Sequence, residues 1–153
     1  MATSTSSLAT AGAPMKQNHV GTTTVHIHYH GSAMTLSDIA LLCKLPQRAL
    51  VTDITGQFGT SNADSVIKLG WKAPNSSTSN ETAFGTHTSS STDAVTLIDF
   101  AGEEELPELI TFTDSIGLAY AQLYATCSVG SFSDTWSLNL VVQYTMDHNE
   151  GVN

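Results

Sequence analysis

The chain has 153 residues, 41% of them hydrophobic, which is enough for one core and too much for a disordered chain. Only 12% of residues are charged while 39 are Ser or Thr, a balance that favours half-buried strands and hydroxyl-rich loops over helical bundles. The formal net charge of −9 would repel a phosphate backbone, and no apolar run approaches a membrane span, so neither nucleic acid nor membrane is expected as a partner.

The five cations, Lys16, Lys44, Arg48, Lys68 and Lys72, form no basic run. Cys43 and Cys127 match no zinc or redox spacing. The first residues lack the basic head and apolar core of a secretory signal, so synthesis in the cytoplasm with free thiols is expected. Cys127 lies within an apolar alternation and reads as a small buried residue.

Residues 1–18 are mostly small and hydroxylated, with almost no periodicity, and are expected to form a flexible N-terminal arm, which is either a frayed terminus, the commoner case, or an arm that orders against a neighbouring subunit. Residues 19–147 read as one β-sandwich domain, with 148–153 as a C-terminal tail. The first clear strand is Thr22–His30, where Val25, Ile27 and Tyr29 alternate with His26, His28 and His30. In the following stretch, Ser37 could cap a short helical turn through Leu42, and a bent strand fits nearly as well.

From Arg48 the period is two. Leu50, Thr52, Ile54 and Phe58 are expected on one face, with Gly56 marking a bulge. In the run from Val66, Ile67, Leu69 and Trp71 face one way, and Lys68 and Lys72 the other. Residues 74–93 read as a long polar loop anchored only by Ala83 and Phe84. Further strands are expected over 94–100, 109–113, 117–129 and 135–145. In the third, small residues from Ala119 to Cys127 share a face opposite Tyr120 and Tyr124. In the fourth, Trp136, Leu138, Leu140, Val142 and Tyr144 form an inward row. Short alternating strands without a long helix predict an all-β fold, an antiparallel β-sandwich resembling a jelly roll, with at most one short helical turn.

The row of His26, His28 and His30 is the most conspicuous chemistry. Imidazole suits zinc, nickel or copper, but an extended strand spaces alternate residues by roughly 6–7 Å and a tight site recruits ligands from other elements. No metal site or cofactor is therefore assigned. The row, together with Phe84, is read as an oligomer or partner contact, and around a symmetry axis the histidines could respond to pH near 6. Glu103, Glu104, Glu105 and Glu108, flanked by Asp99 and Asp114, lack calcium-loop spacing and read as a solvated loop. The triplets beginning at Asn75 and Asn80 fit a glycosylation pattern but read as polar loop residues. Without a nucleophile elbow, a zinc-protease motif or a phosphate loop, no enzyme is expected.

Two stretches carry a family resemblance. Lys44 to Ile54, with its Leu45-Pro46 start and Thr52-Asp53, followed by Ile67-Lys68-Leu69-Gly70, forms the first, and Ser137 to Met146 forms the second. Across 42–147 the chain resembles small bacteriophage structural proteins that decorate or reinforce the capsid. The resemblance implies a non-enzymatic homotrimer on the capsid exterior of the virion, with the major capsid protein lattice as its partner. The 74–93 segment and the His-rich strand depart from that pattern. An alternative is a carbohydrate- or receptor-binding module of a phage fibre or adhesin, which would need Tyr29, Trp71 or Phe84 exposed for stacking.

Overall fold

The computed structural model describes residues 3–5, 21–59, 64–74, 78–89, 95–99, 106–112 and 120–146. These contain eleven strands and no helix: β1 (Thr3–Thr5), β2 (Thr22–His30), β3 (Ile39–Pro46), β4 (Ala49–Gly59), β5 (Val66–Lys72), β6 (Ser79–Asn80), β7 (Thr86–Thr88), β8 (Val95–Asp99), β9 (Glu108–Leu109), β10 (Tyr120–Val129) and β11 (Ser137–Met146). One sheet runs β1-β3-β10-β5, with β6 and β7 successively on the far edge of β5. The other runs β2-β11-β4, with β8 and β9 successively along β4.

The pairing is nested. Strand β2 pairs with β11, β3 with β10, β4 with β8 and β9, and β5 with β6 and β7, all antiparallel. A two-stranded ribbon wrapped into two facing sheets produces this order, which is that of a jelly roll. Parallel pairing enters once among the described strands, where β1 lies along Ile39–Leu41 of β3. Of the segment expected as a flexible arm, residues 3–5 form that strand, while 6–18 and the 148–153 tail lie outside the described residues.

Alternation explains why these residues form two packed sheets. In β2, Val25, Ile27 and Tyr29 are buried and the three histidines are exposed. In β10, Ala121, Leu123, Ala125 and Cys127 are fully buried, and the row of Trp136, just before β11, with Leu138, Leu140, Val142 and Tyr144 of β11 is buried throughout. Both sets join one core with Cys43, Leu45, Phe58, Ile67 and Leu69. One end of that core is aromatic. Trp136 packs against Tyr29 and Phe132 with ring centroids 5.0 and 5.1 Å away, and Phe58 meets Phe132 at 5.1 Å. Such pairs contribute about 0.5–1.5 kcal/mol each beyond their burial.

Several expectations are corrected. The bulge in β4 is at Thr52, which has no partner between Asp53 (opposite Gln143) and Val51 (opposite Tyr144), whereas Gly56 sits in regular register opposite Leu140. The extra residue reverses the phase, so Ala49 and Val51 point inward and Thr52 is exposed, while Ile54 and Phe58 remain buried as expected. Gly56 serves close approach instead: a Cβ there would run into the carbonyl oxygen of Asn139, with the Leu140 Cα at 2.9 Å.

A second bulge, at Leu42 in β3, breaks the alternation that a helical turn would otherwise explain. The turn before it is tight. Asp38 N–H donates to the Thr35 carbonyl at 3.1 Å, the Asp38 carboxylate accepts from the Thr35 N–H and hydroxyl, and Ser37 has a φ of 70°. Strand β3 follows directly and no helix forms. The strand expected over 109–113 is also shorter. Glu108–Leu109 pairs with β4, Ile110 N–H donates to the Ala49 carbonyl at 2.9 Å, Ile110 and Phe112 are buried beside it, and Thr113 lies outside the described residues.

Of the 74–93 segment, the described residues 78–89 are not a free loop. Thr78 to Ser89 lie along β5, and Phe84 N–H donates to the Leu69 carbonyl at 3.1 Å while Leu69 N–H donates to Gly85. The unpaired amides and carbonyls of a sheet edge recruit a strand through its backbone, so a polar tract with no apolar alternation can supply one.

Candidate contact surface

The jelly roll turns one face of the β2-β11-β4 sheet outward. Strand β2 lies at the end of the sheet, and its regular alternation carries His26, His28 and His30 onto that face. Opposite them on β11 stand Val141, Asn139 and Ser137 respectively. Across β2, β11 and β4 the outward side chains are mostly hydroxyls, amides and imidazoles, with Val141 and the half-buried Leu50 as aliphatic members, and Asp53 is the single formal charge among them. A shallow groove of about 380 Å³ runs over this face, with His26, His28, Gln57, Asn139 and Val141 along it. The missing side chain at Gly56 lets β4 approach β11 beneath it.

His28 and His30 are in edge-to-face contact, with ring centroids 4.7 Å apart. The Nδ1 of His28 is hydrogen-bonded to Oδ1 of Asn139. An amide oxygen can only accept, so in this pairing Nδ1 is the donor and Nε2 is the ring nitrogen left for another partner. Sequence spacing revealed the row; the approach of two rings and the part played by Asn139 depend on register between residues 111 apart in the chain, for which the sequence has no local signal.

The other candidate residues are internal. Phe84 is fully buried in the chain's own core, so its ring offers no surface to a partner. Tyr29 and Trp71 are buried as well. Trp71 packs against Phe112, and its Nε1 donates to Glu108 at 3.0 Å, an oxygen that also accepts from Asn80 Nδ2 at 3.3 Å. Glu108, on β9 of the other sheet, thus ties the β5–β6 edge of this sheet to its partner sheet. Glu103, Glu104, Glu105, Asp114 and Asn75 lie outside the described residues. Among the described residues no three His, Cys, Asp or Glu side chains converge on a point that could hold a metal ion.

Lys68 and Lys72 share one side of β5, as their spacing predicts, and register across β10 adds Lys44, which is itself buried, to the same side of the sheet. Lys44 and Lys72 flank Gln122 in register, the Lys44 ammonium stands 4.7 Å from the centre of the Tyr120 ring, and Lys68 pairs with Glu81 at 3.8 Å. Both cysteines are free and fully buried. Burial pushes the Cys43 thiol up to about 12, and burial and then the Asp38 charge raise Cys127.

The described strands thus define a jelly roll with a largely polar outward face on the β2-β11-β4 sheet. No protein-family model matches the chain, and no curated protein sequence matches it. Solved structures do. A chain from the capsid of Ralstonia phage GP4 is similar at a TM-score of 0.71 and 12% identity, covering 97% of this chain and 100% of that one. A chain from the capsid asymmetric unit of cyanophage Pam1 is similar at a TM-score of 0.50 and 18% identity, covering 93% of this chain and 96% of that one. At these identities the shared property is the fold.

Proposed function

We propose that this chain is a bacteriophage virion structural protein that binds the outside of the capsid and stabilises it, without catalysing a reaction. The observation that carries the reading is the end-to-end match in fold to a chain of a phage capsid, over 97% of this chain and 100% of that one. The working form is a homotrimer bound to the major capsid protein lattice. Residues 1–18, the outward histidines of β2 and the polar parts of 74–93 make the contacts, and the sandwich core holds them in place. Several weak contacts repeated around a symmetric oligomer give tight attachment without one strong site. The sugar-stacking alternative loses its footing, because Tyr29, Trp71 and Phe84 are all buried.

The test is co-sedimentation of the purified full-length protein with heads of the encoding phage assembled without it. Saturable, stoichiometric pelleting is expected. A variant lacking residues 1–18 should keep its cooperative unfolding transition but bind about tenfold or more weakly, the scale expected when one arm of a multivalent attachment is lost. Failure of the full-length protein to pellet with heads would overturn the reading, and an unchanged isotherm for the truncated protein would remove the arm from it.

A further inference from the structure

We infer that His28 and His30 form a two-imidazole chelating site for a first-row divalent metal ion, with zinc as the reference ion. Three features point there. The two side chains project from the same face of β2 and are exposed, so an ion reaches them without rearrangement of the fold. Their ring centroids are 4.7 Å apart, closer than the repeat of the strand itself, because side chains of alternate residues lean toward each other. Zinc–nitrogen bonds of about 2.0–2.1 Å need donor nitrogens roughly 3–4 Å apart, which rotation about the terminal side-chain torsion of an exposed imidazole supplies.

The third feature is the amide of Asn139. By accepting from Nδ1 it fixes the ring of His28 and leaves Nε2 as the free donor. Ligating histidines are held in this way by an acceptor on their other nitrogen. Asn139 is thus a positioning residue, while His28 and His30 are the ligands. Binding exchanges two zinc-bound waters for two neutral imidazoles, and the remaining positions on the ion keep water. No three-ligand cluster exists among the described residues, so the site is open, and zinc, nickel and copper, which all accept imidazole, are its class of ligand.

Isothermal titration of untagged protein with zinc chloride at neutral pH tests this, and it does not depend on attachment to a capsid. One ion per chain is expected. His28→Ala and His30→Ala should each weaken binding about tenfold or more, and Asn139→Ala should weaken it by a smaller factor while leaving the stoichiometry unchanged. His26→Ala, which removes the neighbouring imidazole of the same row, should leave the isotherm unaltered. These are surface positions, and urea unfolding of each variant separates loss of the site from loss of the fold. Equal zinc binding by the wild type and the His28→Ala/His30→Ala double variant would overturn the inference, as would the absence of measurable binding to the wild type.

Discussion

Gly31 and Trp136 form a matched pair. Trp136 has no exposed surface, its Nε1 donates to the Ser32 carbonyl at 2.8 Å, and its carbonyl accepts from the Gly31 N–H at 3.1 Å. A Cβ at position 31 would fall within the indole. Gly31→Ala should therefore destabilise the protein by about 1–3 kcal/mol, the usual effect of overpacking, and lower the urea midpoint with little change in slope. An unchanged midpoint would mean that the indole has another place to go. The inward position of Trp136 was legible from its alternation with Leu138 and Leu140. The role of Gly31 was not, because a glycine after a strand reads as a break and its packing partner lies 105 residues away.

Cys43 supplies a second residue-scale prediction. Its thiol stays protonated in the fold to about 12, against 9.0 for a free thiol, because burial disfavours the thiolate. The unfolded chain releases this proton first, so stability is fully present below about pH 9 and falls as pH rises towards 12. The raised thiol of Cys127 and phenols of Tyr124 and Tyr144 act in the same direction. In an alkaline series of urea melts, Cys43→Ala should show a shallower decline than the wild type. Native protein should also resist a thiol-labelling reagent at neutral pH and react at both cysteines in denaturant. Rapid labelling of the native protein would contradict their burial.

At the scale of elements, the strands that obey strict alternation could be read directly. Strands β2 and β11 have one buried and one outward set along most of their length, and the inward row of β10 could be read too, although Tyr124 and Thr126 on its other side are also buried. Strands β3 and β4 could not be phased, because Leu42 and Thr52 are single-residue bulges in sequences where adjacent positions are both apolar or both small. Leu50 and Val51 are equally plausible inward residues until the partner strand sets the register. The edge formed by β6 and β7 was hidden for another reason: its hydrogen bonds come from the backbone, and only Ala83 and Phe84 enter the core. Phe84→Ala should thus cost about 3–5 kcal/mol. Hydrogen exchange should place the largest loss of protection on the amides that hold this segment to β5, those of Leu69, Phe84 and Ser89. Uniform loss across both sheets would show instead that the segment does not open as a unit.

At the scale of the whole molecule, composition and strand spacing were sufficient for an all-β sandwich, and the nested pairing that makes it a jelly roll follows from long-range register. The row of three histidines could also be read from sequence, while the contact of two rings and the orienting amide arise only when β2 and β11 pair. The proposed homotrimer predicts that sedimentation equilibrium of untagged full-length protein at neutral pH gives three times the 16.2 kDa chain mass. A single species at the chain mass over the whole concentration range would remove the trimer from the proposal.

The central claim is that this chain sits on the outside of a phage head, and shaving of intact particles tests it most directly. Purified virions of the encoding phage would be treated with protease and with an amine-labelling reagent, before and after disruption, and the chain quantified by mass spectrometry. The account predicts that the chain is present in many copies per particle and is labelled or cleaved on intact virions to nearly the extent seen after disruption. Its absence from purified particles, or its protection until the shell is opened, would contradict the account.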